Sequence, residues 1–312
     1  MKSPGILFCG KSGFCLLVFI VMISLCGYQA ALAQNKYAVV IGIGDYPEQS
    51  GWKEISGDKD VDMIVPMLLQ NGFARENITV LVNTEATKSA IRNAISDLAG
   101  VSGKGDIVYI HFSGHGQQVT DLDGDETDGY DEAIIPYDAA SRYGLGGYKG
   151  EKHILDDEFG LWLEGLRMSV GRKGLILVAL DACHSGDATR GNNNNEGKHV
   201  RGTSEIFMIP DSSGQDDACM AHACDTEQNV RRNVEWICIS ACKSYQNNYE
   251  YKSETGYCGR LSWAISRVMR PGIRFSEFVN ALKDMYGSMP LPSGLPQDLD
   301  VDAPEQYDVL LF

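Results

Sequence analysis

The chain has 312 residues, 44% apolar and 22% charged, enough for one large domain or two modest ones with a substantial core. Its 42 carboxylates outnumber 27 lysines and arginines and leave a net charge of −15. That is not the composition of a disordered, collagenous or repeat protein, and it argues against polyanionic partners such as nucleic acid or an anionic membrane. Basic substrates and metal cations suit it better.

Residues 1–33 read as an export signal and are set aside from the fold. Lys2 and Lys11 are their only charges, an apolar run covers Phe14 to Cys26, and Ala31-Leu32-Ala33 is a small-x-small cleavage site. The run is short for a membrane span, so a retained anchor is the weaker alternative and no stable membrane insertion is expected after cleavage. Removal of both lysines takes the net charge from −15 to −17. It also leaves Cys183, Cys219, Cys224, Cys238, Cys242 and Cys258. These contain no C-x-x-C pair and hence no zinc pattern, and whether Cys219 and Cys224 pair stays open. The destination is a periplasm or the medium.

In the mature part, β-branched apolar runs alternate with amphipathic stretches, which predicts a mostly parallel sheet covered by helices on both faces. Strands are expected at Tyr37–Ile43, Ile78–Val82, Asp106–Phe112, Leu175–Leu180 and Val234–Ser240. Helices are expected at Asp60–Leu69, Thr87–Ala99, Leu155–Leu166, Leu261–Met269 and Phe275–Tyr286, and an apolar run closes the chain at Tyr307–Phe312. Between Asp187 and Arg232 periodicity disappears, so this stretch reads as a functional loop or linker. The division is then a large piece (34–186), a linker (187–232) and a small piece (233–312) that completes a single sheet.

Two glycine-rich turns follow buried strands, Ser113-Gly114-His115-Gly116 and Asp181-Ala182-Cys183-His184-Ser185-Gly186. Ligands of open parallel sheets bind outside such strand ends. A thiol needs a base to become a nucleophile at neutral pH, and an imidazole supplies one. The neighbouring small residues let backbone amides approach a substrate as an oxyanion hole requires, with Gly116 and Cys183 as its donors. His111 lies inside its strand and reads as structural. Singly, each residue has a bland explanation; a nucleophile and a base on two such turns do not.

The segments His-Phe-Ser-Gly-His-Gly-Gln and Asp-Ala-Cys-His-Ser-Gly resemble the catalytic motifs of the metacaspases (type I-like), in the caspase-like clan of cysteine peptidases. Asp-Gly-Tyr-Asp-Glu-Ala-Ile-Ile-Pro-Tyr-Asp (128–138), Ile-Leu-Asp-Asp (154–157) and Ile-Ser-Ala-Cys-Lys-Ser-Tyr-Gln (239–246) extend the likeness over most of the mature chain. The resemblance implies a caspase-like α/β fold with a mostly parallel six-stranded sheet, and a p20-like and a p10-like piece. It also implies an endopeptidase that cuts after Arg or Lys through His115 as base and Cys183 as thioester-forming nucleophile. Ser113 and Asp181 match positions lining the first specificity pocket. Asp60 is a further candidate there, although its Ser-Gly-Asp-Lys-Asp stretch is a residue shorter than the family pattern. A monomer is expected.

The acidic excess concentrates at 121–138, with eight carboxylates and no Lys or Arg. Counting from Asp121 puts Glu126 where an EF-hand needs glycine. A solvated acidic loop is the ordinary explanation. The resemblance implies instead an activating Ca²⁺ held by Asp131, Asp156 and Asp157; the family's fourth aspartate is Arg190 here, and nearby Asp187 is the candidate substitute. Arg190, Lys198, Arg201, Arg231 and Arg232 lie in the linker, where a basic-specific peptidase could cut itself. Two rivals remain: a clostripain-like or gingipain-like peptidase, and a catalytically silent calcium-binding protein of the same fold.

Overall fold

The computed structural model describes residues 34–122, 124, 126, 129–183, 200–203, 205–210, 235–292, 295–304 and 308–312. Strands β1 (Lys36–Gly42), β2 (Ile78–Val82), β3 (Ile107–Ser113), β7 (Leu175–Asp181), β8 (Ile237–Ser240) and β11 (Asp300–Asp302) form a six-stranded sheet in the order β11-β8-β7-β3-β1-β2. All neighbours are parallel except β11, which closes the edge antiparallel to β8. The predicted sheet class holds, and β8 joins the sheet through its parallel pair with β7. An antiparallel three-stranded sheet, β4 (Gly116–Thr120), β5 (Tyr130–Ile134) and β6 (Ile154–Leu155), and a hairpin of β9 (Tyr251–Ser253) and β10 (Gly256–Cys258) were not foreseen. These strands are short, and two residues of β6 carry no periodic signal.

The apolar runs of β1 and β3 alternate between two cores, as a strand's two-residue period requires. Val39, Ile41, Val108, Ile110 and Phe112 pack on one face with α2 (Lys88–Val101) and α3 (Asp156–Val170). Ala38, Val40, Ile107 and Tyr109 pack on the other with α1 (Gly57–Gln70), α4 (Arg260–Val268) and α5 (Phe275–Ser288). Burial on both faces is why these strands read as continuous hydrophobic runs. Thr87 accepts the Ala90 amide at 3.2 Å and caps α2.

The described part of the terminal apolar run, 308–312, pairs with the segment before α5, where Leu310 bridges Arg274 and the Leu311 amide donates to the Ile273 carbonyl at 2.8 Å, while the polar Asp-Val-Asp of β11 takes the sheet edge. An edge strand buries too little to show an apolar pattern. The stretch 187–232 is not wholly irregular. Phe207 is buried, its amide donates to the Gln118 carbonyl at 2.8 Å, and its carbonyl accepts from the Thr120 amide at 3.1 Å. Gly202 and Phe207 thereby lie parallel to β4. The remainder of that stretch, like 1–33, lies outside the described residues.

Candidate active site

The β3–β7 register pairs Ser113 with Asp181, so His115 and Cys183 stand two residues beyond the same rung on neighbouring strands. Neighbouring strands are about 4.8 Å apart, which brings both turns to one crevice. Each turn supplies one amide to a single acceptor. Cys183 N donates to the Arg201 carbonyl at 2.9 Å and Gly116 N donates to it at 3.3 Å. These are the two donors expected from the sequence.

His115 is buried, stacked on Trp52 (centroids 4.8 Å apart) and flanked by Tyr46, whose hydroxyl accepts the His115 amide at 3.0 Å. Its Nε2 lies 2.8 Å from the Lys53 carbonyl. A carbonyl only accepts, so Nε2 carries the proton, and in the neutral ring Nδ1 keeps its lone pair. Among the described residues Nδ1 has no hydrogen-bond partner. Burial chiefly, with Arg201 adding to it, lowers the His115 pKa to about 4. The ring is therefore a neutral proton acceptor at neutral pH. Cys183 is buried too, and its thiol donates to the Gln246 carbonyl at 3.3 Å. Cys242 donates to the same carbonyl at 3.3 Å, and its contact with Cys183, then burial, raises its pKa well above the usual thiol value. Cys238, Cys242 and Cys258 are free thiols, while Cys219 and Cys224 lie outside the described residues.

Beside this pair is a closed anionic pocket built from Asp60, Ser113 and Asp181, all fully buried. Asp60 receives the Ser113 hydroxyl at 2.6 Å and the Gly259 amide at 2.9 Å. Asp181 receives Asn248 Nδ2, Ser262 N and Ser262 Oγ, each at 2.7 Å. Ser262 Oγ spends its proton on Asp181, so at 3.0 Å it accepts from His111 Nε2, and Tyr109 then donates to His111 Nδ1 at 3.0 Å. Burial lowers the His111 pKa to about 4, so this histidine is a neutral support for Asp181, as its place in the strand suggests. Gly259 floors the pocket: a Cβ there would lie 2.1 Å from Asp181 Oδ2 and 2.5 Å from Asp60 Oδ2, inside van der Waals contact.

The pocket is filled by the guanidinium of Arg201, itself fully buried. Its Nη1 lies 2.8 Å from Asp60 Oδ2 and 3.7 Å from Asp181 Oδ1 and donates to Ser113 Oγ. Its Nη2 lies 3.1 Å from Glu250 Oε1, a third carboxylate, which also accepts the Ser56 amide at 2.6 Å. Burial opposes the Arg201 charge, but Asp60, Asp181 and Glu250 outweigh it and raise its pKa. Burial pushes Asp60 up to about 6 against the pull of Arg201. Burial pushes Asp181 up as well, but Arg201 and the bonds from Asn248 and Ser262 prevail and hold it below the usual carboxylate range.

The sequence reasoning missed Glu250, Asn248, Gln246 and the Lys53 carbonyl. The first three directly follow the recognised 239–246 segment or end it, at the carboxyl end of β8, and that position was the available signal. A backbone carbonyl offers none.

Of the expected Ca²⁺ ligands, Asp156 and Asp157 open α3 and Asp131 lies on β5. Ala133 pairs with Leu155 antiparallel, so the register carries Asp131 toward Asp157. Burial first, then Asp157 and Glu126, pushes the Asp156 carboxyl up to about 6. Crowded oxygen donors of this kind suit a hard cation. Among the described residues, however, no three converge as a metal-holding group, and Asp187 lies outside them. Asp138 is used elsewhere: its Oδ1 accepts the Lys88 amide at 2.9 Å.

The Caspase domain family matches residues 35–286, which include both strand-end turns and every pocket residue. The chain belongs to the caspase-domain family. Among its relatives are metacaspase-1A of Aspergillus niger, 37% identical over 163 residues (49% of this chain, 36% of the relative). Metacaspase-1A of Aspergillus fumigatus is 29% identical over 288 residues (80% and 65%), and metacaspase-1 of Emericella nidulans 29% over 307 residues (86% and 72%). The chain thus spans between 36% and 72% of the length of these relatives. In fold, the caspase domain is similar to caspase-1 of Spodoptera frugiperda (TM-score 0.53, 10% identity, covering 87% and 89% of the two chains). It is also similar to a structural-genomics protein of Geobacter sulfurreducens (TM-score 0.59, 22% identity, 88% and 97%). No helix among the described residues is long and apolar enough to cross a membrane.

Proposed function

We propose that this chain is a cysteine endopeptidase of metacaspase type that hydrolyses peptide bonds after arginine or lysine. The observation that carries the proposal is the arginine in the pocket: one guanidinium faces three carboxylates, with its carbonyl on two convergent amides. An aspartate side chain would meet only like charge there. Cys183 Sγ attacks the substrate carbonyl after His115 Nδ1 takes its proton. The amides of Gly116 and Cys183 stabilise the oxyanion, and the imidazolium protonates the leaving amine. Water then releases the thioester.

The proposal extends to stimulation by Ca²⁺ at Asp156 and Asp157, with Asp131 and Glu126 adjoining; the support is the carboxylate crowding on Asp156. The bound cation would neutralise that charge and tie β5 to the start of α3. Export rests on residues 1–33 alone.

Fluorogenic peptides ending in arginine and in aspartate test this reading. Turnover of the arginine peptide only is expected, weaker in chelator, and Ca²⁺ should raise the Tm of the wild type but not of Asp156→Asn. Preference for the aspartate peptide would refute the pocket assignment, and a Tm indifferent to Ca²⁺ would refute the cation site.

The pocket also predicts an acid limb. Asp60 is charged above about 6 and neutral below it. Protonation removes one of the pocket's negative charges, and a pocket emptied of Arg201 loses that cation's pull on Asp60, so kcat/KM for arginine peptides should fall on acidification from a pH above 6. His115, near 4, is still neutral in that window. Asp60→Asn should lower kcat/KM at pH 7 and abolish the limb. A limb that survives the substitution belongs to another group.

A further inference from the structure

We infer that Cys242 is a resolving thiol for Cys183: a peroxide oxidises the Cys183 sulfur, and Cys242 then closes on it as a disulfide that silences the crevice reversibly. This rests on the reading of Cys183 as nucleophile and His115 as its base, and adds to it a second sulfur and a redox control.

The two sulfurs share one acceptor. Cys183 Sγ and Cys242 Sγ each lie 3.3 Å from the Gln246 carbonyl oxygen, and Cys242 Sγ is also 3.9 Å from the carbonyl of Ala182, the residue before Cys183. The sheet brings them there. Leu180 of β7 is level with Ser240 of the parallel β8, and the Ala241 amide donates to the Leu180 carbonyl at 3.0 Å, so Cys183 and Cys242 follow one rung by three and two residues. Neighbouring strands run about 4.8 Å apart, of the order of the about 4.4–6.8 Å between Cα atoms that a disulfide spans. The shared seat is fixed: Gln246 Nε2 donates to Asp298 Oδ2 and its Oε1 accepts the Asp298 amide, each at 2.8 Å. Of the other described cysteines, Cys258 donates to the Tyr251 carbonyl at 3.5 Å, and Cys238 lies within β8, level with Val178.

Burial sets the oxidant. Cys183 and Cys242 are 1% and 3% exposed, so it has to be small and neutral, and hydrogen peroxide is both. His115 Nδ1 takes the Cys183 proton, and the thiolate attacks one peroxide oxygen. An S–O bond forms as the O–O bond breaks, and the departing hydroxide takes the proton from His115 to leave as water. Cys183 is now a sulfenic acid, oxidised by the two electrons that the peroxide gained. The Cys242 sulfur then bonds to the Cys183 sulfur, the S–O bond breaks, and the hydroxide leaves with the Cys242 proton as a second water. The order of roles follows from local charge. The neighbouring Cys183, then burial, holds the Cys242 thiol well above its usual pKa, which keeps Cys242 from meeting the peroxide first. A sulfenic acid lacks the thiolate charge, so Cys242 is released to react once Cys183 is oxidised. The disulfide leaves Cys183 no thiolate for a peptide carbonyl, and it shields that sulfur from oxidation to sulfinic acid.

The test treats reduced wild type, Cys242→Ala and Cys242→Ser with hydrogen peroxide and then blocks the remaining thiols. Intact mass, the digest and turnover of an arginine-ended peptide are followed before and after dithiothreitol. Wild type is expected to lose two hydrogens, to give a peptide pair linking Cys183 to Cys242, and to lose turnover that dithiothreitol restores in full. Both variants should gain oxygen on Cys183 instead and recover less than about a tenth of their own untreated turnover, because a thiol does not reduce sulfinic acid. A wild type that links Cys183 to Cys238, Cys258, Cys219 or Cys224, or that only gains oxygen, overturns the assignment. Recovery of either variant to the wild-type extent overturns it too. Mass and digest read the disulfide without turnover, so a linked wild type that cuts no arginine or lysine peptide when reduced would instead mark failure of the peptidase reading.

Discussion

Cys183→Ala and His115→Ala are each expected to lower kcat for an arginine-ended peptide by about 10³-fold or more, and the double variant to lose little beyond the single ones. Non-additivity follows from the geometry. The thiol faces the Gln246 carbonyl, which accepts its hydrogen bond and takes no proton, so in the proposed pair the Cys183 proton passes to His115. Because Nε2 is held by the Lys53 carbonyl, the only free lone pair on that ring is on Nδ1. Without the base the thiol stays protonated; without the thiol the base has no proton to take. KM should move little, since neither side chain touches the guanidinium. Both variants should fold, as neither residue pairs a buried charge. Additive losses, or activity that survives Cys183→Ala, would refute the assignment of nucleophile and base.

Asp181→Asn is expected to reduce kcat/KM for arginine peptides by about 10³-fold and to destabilise the chain by about 3 kcal/mol, because one member of a buried charge cluster is removed while its partners remain. Three donors converge on this carboxylate at 2.7 Å. An amide nitrogen in place of one oxygen would face a donor with a donor. The two effects are separable: stability is read from Tm with the catalytic pair intact, and specificity from the ratio of kcat/KM for arginine and neutral peptides. A ratio unchanged from wild type would mean that Asp181 only braces the turn.

Much of this site was legible in the chain. The β3 and β7 runs are buried on both faces and end in glycine-marked turns, so the positions of His115 and Cys183 follow from burial and turn chemistry. Ser113 and Asp181 end those same strands, and the register makes them neighbours. Asp60 was less secure, since its short loop departs from the family pattern. It nevertheless meets Ser113 and the Arg201 guanidinium, and it is joined to Gly259 across 199 residues of sequence.

Other parts had no local signature. Glu250 reads as one more acidic residue in a polar loop until Ser56, 194 positions away, is seen on its carboxylate. Arg201 was one of five basic residues in an aperiodic stretch, and only the folded chain sets its guanidinium between Asp60, Asp181 and Glu250. The net charge of −15 was visible as an excess, and its densest run lies at 121–138. Three of the carboxylates that define the site, however, lie outside that run. The sequence by itself determined the sheet, the two glycine-marked turns that carry His115 and Cys183, and the acidic excess, because hydrophobic period, glycine placement and charge act locally. The tertiary structure alone decided which carboxylates share a pocket, which imidazole nitrogen is free and which of the chain's own arginines occupies the site. Those depend on contacts between residues far apart in sequence, which pattern and composition do not encode.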